Sequence, residues 1–296
     1  MYIINFIRGF FMALADSVPG VSGGTIAFIM GFYDNFINSL NSLMSPSSSK
    51  EEKKEALLFL IKLGIGWITG MILSVLVLSS IFDDHIYAIS SLFIGFIIFS
   101  IPIIFREEKS EIVGKYKNIV FAVIGVAIVV AITYFNPVSG GEAGGISLDK
   151  ISFGMYIYIF VSGMIAISAM VLPGISGSTL LLIFGLYAPI ISSIKSFLTL
   201  DFSVLPILIT FGLGVLTGIA TTIKLIRYSL NNHRSKVIYL ILGLMIGSIY
   251  AVFMGPTTLE VAQPAMGIST FSIIFFIIGG GLIVGLEKLK YVFENK

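Results

Sequence analysis

The chain has 296 residues, of which 56% are hydrophobic and 11% charged, with a net charge of +2 and a mean hydropathy of +1.03. Soluble domains carry about 25% charged residues, so this chain cannot cover a water-facing surface, and its weak net charge supplies no basic field for nucleic acid. What remains is a polytopic membrane protein without a sizeable soluble domain; the lack of cysteine removes disulfides, thiolate catalysis and Cys-ligated metals.

About 20 apolar residues in a helix cross the hydrocarbon core. In chain order, the first apolar stretch, 3–44, is too long for one span and is interrupted by a Pro-Gly cluster. Uninterrupted spans are expected at 57–80, 86–105 and 118–135. The stretch 153–198 is again broken in its middle, and spans follow at 203–226, 236–254 and 270–287. Each broken stretch reads as a helix, a tight non-helical turn and another helix, its arms being short re-entrant pieces or a pair of spans. Ala13-Leu14-Ala15 resembles a signal-peptide cleavage site, but Arg8 follows six mostly apolar residues instead of preceding them, so no cleavage is expected.

Lys and Arg of short loops stay on the cytoplasmic side. Lys50, Lys53 and Lys54 precede the first ordinary span, and the next loop, Asp83-Asp84-His85, has no cation. Arg106, Lys109, Lys115 and Lys117 follow, then 136–152 with Glu142, Asp149 and only Lys150. Beyond the second broken stretch, Lys195 and Asp201 give way to Lys224, Arg227, Arg234 and Lys236, then to the cation-free 254–269, and last to Lys288, Lys290 and Lys296. This alternation places both termini in the cytoplasm. It also makes each broken stretch a hairpin, 3–44 entering from the cytoplasm and 153–198 from outside.

The two turns align. Pro19-Gly20-Val21-Ser22-Gly23-Gly24-Thr25 matches Pro173-Gly174-Ile175-Ser176-Gly177-Ser178-Thr179, and eight of fifteen positions are identical between 19–33 and 173–187, including Gly31/Gly185 and Tyr33/Tyr187. Gly64, Gly66, Thr69 and Gly70 share their spacing with Gly212, Gly214, Thr217 and Gly218, and Gly95 and Ser100 fall on Gly243 and Ser248. The expected fold is therefore all-α, with two inverted repeats, about 1–147 and 148–296, each a hairpin plus three transmembrane helices. Paired broken helices meeting near the midplane are the architecture of secondary transporters.

Irregular backbone survives in a membrane only where protein or a polar cavity covers it. Proline ends the incoming helix, glycines allow close approach, and Ser or Thr caps the outgoing one. Such a turn either seats an anion on free N–H groups at a helix start or satisfies only itself and packs the hairpins tip to tip. The candidate binding set is Ser22, Gly23, Gly24, Thr25, Ser176, Gly177, Ser178 and Thr179. Asp16, aligned with Met170, is a functional candidate because a carboxylate at membrane depth is costly; it carries a proton or cation, or caps the turn. Arg8 neutralises a phosphate or snorkels to the interface. Asp34, aligned with Ala188, marks the hairpin's polar exit. Asn35, Asn38 and Ser42, like Ser192, Ser193 and Ser196, give one polar helix face, for a wet groove or a helix contact. Lys224 and Arg227 read as interface anchors that can attract anionic headgroups.

The run Ala15-Asp16-Ser17-Val18-Pro19-Gly20-Val21-Ser22-Gly23-Gly24-Thr25 with Gly31-Phe32-Tyr33 resembles the bacterial polyprenyl-phosphate transporter family. Leu172-Pro173-Gly174-Ile175-Ser176-Gly177-Ser178-Thr179 with Gly185-Leu186-Tyr187 resembles that family's second motif. The resemblance implies a cell-membrane translocase returning undecaprenyl phosphate to the cytoplasmic leaflet for wall-polymer synthesis, with the lipid as partner; no cofactor or metal is expected, and the energy is expected from the membrane potential or from a proton or cation carried on Asp16. A small-anion transporter or channel is the alternative. An intramembrane lipid phosphatase is remote, since the two histidines, His85 and His233, fall in opposite loops.

Overall fold

The computed structural model describes residues 2–16, 22–74, 79–134, 152–198, 200–258 and 262–294. Among them the chain is helical, and five helices are long and apolar enough to cross a membrane. The protein is a polytopic all-α membrane protein.

The first broken stretch comprises α1 (Tyr2–Asp16), α2 (Gly23–Ile29) and α3 (Tyr33–Met44). At about 1.5 Å per residue α1 extends about 22 Å, short of the about 30 Å hydrocarbon core. The outgoing arm is not one helix: it breaks again between α2 and α3, where Gly31 takes φ 67°. The second broken stretch repeats this plan in α8 (Phe153–Val171), α9 (Gly177–Ile183) and α10 (Tyr187–Leu198), with Gly185 at φ 64° in the matching place. That left-handed conformation suits glycine and ends the short helix.

The ordinary spans depart from expectation at their ends. α4 (Lys50–Leu73) starts seven residues before 57, because Ser49 and Glu52 form a reciprocal capping box that carries the helix through Lys50, Lys53 and Lys54. Residues 79–80 already belong to α5 (Ser79–Glu107), which kinks at His85. After the single turn α6 (Lys109–Ile112), α7 (Ile119–Tyr134) matches 118–135 closely. The spans 203–226 and 236–254 form one unit, α11 (Leu205–Met254), whose two limbs meet at a kink at His233. With no proline or glycine in 227–235 each limb runs on past the apolar stretch, and the helical path is interrupted at His233, at φ −138° and ψ 37°. α12 (Ile273–Glu294) follows, its apolar part, Ile273–Gly285, being shorter than the five long helices.

Helix pairing follows close backbone contacts at glycines. A Cβ at Gly66 would overlap the Phe6 carbonyl and one at Gly9 the Leu63 carbonyl, so α1 and α4 touch along their backbones. α8 and the first limb of α11 do the same through Gly214 against Phe160 and Gly163 against Phe211. α5 packs on α12 through Gly95 and Gly279, and α7 on the second limb of α11 through Gly125 and Gly243. Small residues allow such approach where lipid offers no hydrophobic drive for association. The core is drawn from both sequence halves: Ile26, Phe32 and Ile37 share one buried cluster with Ile223, Ile241 and Met245. In contrast α4 exposes Leu57, Ile61, Ile65, Ile68 and Ile72, a lipid-facing stripe.

Two basic loops, 106–117 and 224–236, meet the start of α3 at one end. Arg234 donates two hydrogen bonds to Glu108, at 3.0 and 2.5 Å, and a third, at 2.9 Å, to Asp34. Nearby, Asn118 donates to Ser235 and Ser235 to the Glu111 carbonyl. Burial aside, the two carboxylates raise the Arg234 pKa further, keeping the guanidinium charged.

Candidate functional site

The two turns lie against each other. Residues 17–21, including Pro19 and Gly20, fall outside the described residues, but the start of α2 shows how the first turn is finished. Ser22 has extended backbone and caps α2, its Oγ accepting from the Thr25 N–H at 3.3 Å. The two hydroxyls are also 3.1 Å apart. Both side chains then reach 150 residues along the sequence. Ser22 Oγ donates to the Leu172 carbonyl at 3.3 Å, and Thr25 Oγ1 accepts from the Gly174 N–H at 2.7 Å. Tyr33, beyond the second break, donates to the Val171 carbonyl at 3.2 Å.

The hydroxyls of the first turn thus satisfy backbone groups of the second, which would otherwise be orphaned in a dry interior. Gly174 holds φ 89°, a conformation that suits glycine. Gly24 faces the end of α8 so closely that a Cβ would lie 2.7 Å from the Val171 carbonyl oxygen. Ser22, Thr25 and Ser176 are buried, at 1%, 1% and 7% exposure. Gly177 opens α9 against the Ala166 carbonyl. Ser178 and Thr179 follow it in α9, and their side chains lie outside the described residues.

Asp16 ends α1 and turns its carboxylate onto the start of α2. Oδ1 accepts from the Gly23 N–H at 2.7 Å, and Oδ2 accepts from Trp67 Nε1, on α4, at 2.9 Å. A Cβ at position 23 would lie 2.8 Å from Oδ2, so glycine is what lets the acid reach the backbone. The capping role of Asp16 is therefore present in the structure.

Trp67 was not among the residues singled out above. Its signal was available: it is the chain's only tryptophan, and its aligned position is Val215, just as that of Asp16 is Met170. The acid and its donor are replaced together.

Beside this pair lies a cavity of about 420 Å³, bounded by Gly23 and Gly24, by Leu60, Gly64 and Trp67 of α4, and by Met170 of α8. Its wall includes residues of both sequence halves, and among the described residues Asp16 is its one ionisable side chain. Arg8 is held elsewhere: it donates to Asn5 at 3.1 Å and stacks 4.9 Å from the Phe32 ring, about 12 Å of helix from Asp16. Asp34 joins the Arg234 cluster at the basic end. Asn35 and Asn38 are exposed, Ser42 is half-buried, and Ser193 turns back to the Pro189 carbonyl. Lys224 and Arg227 are exposed. No group of metal-ligating side chains occurs among the described residues.

Long apolar helices, two doubly broken stretches and a buried contact between their turns define a polytopic all-α membrane protein. The family described as VCA0040-like, undecaprenyl phosphate translocase-like, matches residues 12–270. The chain is 36% identical over 302 residues to the polyprenyl-phosphate transporter of Staphylococcus aureus (strain NCTC 8325 / PS 47), covering 99% of this chain and 98% of that protein. It is 32% identical over 268 residues to the polyprenyl-phosphate transporter of Vibrio cholerae serotype O1, covering 88% and 80%. No solved structure gives a significant match. The chain belongs to the undecaprenyl phosphate translocase-like family.

Proposed function

We propose that this protein is a flippase that carries undecaprenyl phosphate from the outer to the cytoplasmic leaflet, without covalent chemistry, so that the lipid carrier re-enters cell-wall polymer synthesis. The observation that carries the reading is the buried meeting of the two turns beside an apolar cavity. A lipid phosphate must move a charged head through hydrocarbon while its tail stays in lipid, since each CH₂ is worth about 0.8 kcal/mol there. The protein need shelter only the head. Ser22, Thr25, Ser176 and Thr179, with the backbone of Gly23, Gly24, Gly177 and Ser178, supply donors once the turns part and their mutual hydrogen bonds are exchanged for phosphate. Arg8, on the same arm, is a second contact for the head nearer the cytoplasmic end.

The two halves, 1–147 and 148–296, act as inverted repeats that rock about this contact, with both termini in the cytoplasm of a bacterial cell. The matched glycine contacts of α1 with α4 and of α8 with α11 support that plan. Asp16 supplies coupling. Among the described residues the cavity wall contains no Lys, Arg or His, so a phosphate entering beside an ionised Asp16 meets like charge. Uptake of a proton by Asp16 removes that repulsion. It also offsets an inside-negative potential, which opposes inward movement of an anion by about 2.3 kcal/mol per charge per 100 mV. The apolar lining favours a lipid over a small anion in an aqueous path.

Flipping of labelled undecaprenyl phosphate in proteoliposomes, with and without a pH gradient, tests this. Wild type transports and responds to the gradient. Asp16→Asn transports without that response, and Ser22→Ala/Thr179→Ala transports at least ten-fold more slowly. Uptake of a soluble anion with no lipid movement overturns the reading.

A further inference from the structure

We infer that the cavity beside Asp16 and Trp67 receives the phosphate-proximal isoprene units of the lipid, which enter sideways from the bilayer past Gly64 and Ile68. The inference rests on the lipid-transport reading and adds where the chain, as opposed to the head, is held.

Position is the first argument. Gly23 and Gly24 of the first turn line the cavity, so a chain whose phosphate meets the turns passes directly into it. The second is the opening. Gly64 borders the cavity, and a Cβ built on it would meet no atom within 4 Å, while Ile68, one turn further, is 55% exposed on the lipid-facing stripe of α4. A lipid can slide in from the side and leave its remaining chain in the membrane.

Size and surface chemistry agree. About 420 Å³ lies in the range of small-ligand pockets, about 300–1,000 Å³, and holds a few isoprene units but not a long polyprenyl tail. The lining is soft and aromatic where it nears the turn: Met12, Met170, Phe36 and the Trp67 indole. Thioether and ring faces suit branched, unsaturated units, whose methyl groups and double bonds break the even contour of a saturated chain. Ile167 and Ile219 complete the wall from the other sequence half, so a chain seated here touches both halves at once.

Because Trp67 is the chain's one tryptophan, its emission reports from inside the cavity without labelling. The full chain in phosphatidylcholine nanodiscs is titrated with undecaprenyl phosphate, farnesyl phosphate, dodecyl phosphate and inorganic phosphate. The first two are expected to shift Trp67 emission saturably, dodecyl phosphate at least ten-fold more weakly, and inorganic phosphate not at all. Gly64→Phe fills the cavity and is expected to abolish the shift and slow flipping at least ten-fold, with Gly64→Leu as a smaller filler should the first variant misfold. Equal responses to farnesyl and dodecyl phosphate overturn the inference, because any lipid chain then occupies the cavity. So does a wild-type response in the filled variants. If those variants also flip lipid normally, the transport reading stands and only this site is lost; if wild type flips no lipid, the transport reading itself fails.

Discussion

At the first turn a carboxylate stands against the start of the short helix, held by Gly23 and Trp67; at the second, the aligned position is Met170 and the aligned partner Val215. The difference extends to the space behind each turn. Leu63, Phe36 and Leu40 border an open cavity in the first half. In the second half, the aligned Phe211 packs onto a small cluster in which Ile159, Leu186, Ile190 and Ile207 are buried. Two arms of like sequence thus present one hollow side, apolar but for its carboxylate, and one side where apolar side chains pack together. A duplicated scaffold needs its chemistry only once if both turns meet at a single place, and the Ser22 and Thr25 bonds to the second turn put them there.

What the halves share is most sharply tested at their helix contacts. Gly66→Ala and Gly214→Ala each drive a Cβ into a backbone carbonyl that cannot swing aside. Each is expected to cost about 3 kcal/mol, read as a loss of monodisperse protein and a large fall in Tm. Gly64→Ala and Gly212→Ala, which meet open space, are expected to leave Tm almost unchanged. A harmful Gly66→Ala beside a harmless Gly214→Ala would break the equivalence of the two pairs.

What the halves do not share is tested by giving the first turn the second's chemistry. Asp16→Met leaves the Gly23 N–H and Trp67 Nε1 without their acceptor, at a cost of about 1–3 kcal/mol. Trp67→Phe removes one of the two donors and keeps most of the packing. If acid and indole form a unit, the double variant Asp16→Met/Trp67→Phe loses less than the sum of the singles, with a coupling of about 1–2 kcal/mol in Tm-derived stability. Additive losses would separate the two residues.

Much of this architecture was legible in the sequence. The spans follow from apolar length, and the paired turns from Pro, Gly, Ser and Thr at matching positions. Gly31 and Gly185 were visible as identities, yet their meaning, a positive φ that splits the outgoing arm, is a backbone property that residue matching does not express. The start of α4 differs for another reason. Hydropathy marks where lipid ends, whereas capping decides where a helix starts, as at Ser49; the two expected spans of α11 do fall on either side of its kink at His233. The Asp16–Trp67 bond joins residues 51 apart, and Arg234 joins Asp34 across 200. Such pairs are created by helix packing, and no local spacing announces them.

The smallest expected contrast concerns how α4 and α11 begin. α4 starts at a serine cap, Ser49, which does not titrate. The 3-10 turn leading into α11 starts at Asp201, whose carboxylate accepts from the Ser203 N–H at 3.0 Å and from its hydroxyl at 2.6 Å. Those two donors hold the Asp201 pKa below the ordinary carboxylate value. A depressed folded pKa gives stability that is present above the unfolded pKa and is lost as pH falls through the folded one. Asp201→Ala is therefore expected to lower Tm slightly at neutral pH, and the gap from wild type should close as acid protonates the carboxylate. Ser49→Ala, at about 1 kcal/mol, should keep its gap from wild type across the same titration. A Tm difference for Asp201→Ala that persists in acid would mean that the side chain stabilises the turn through packing and not through its charge.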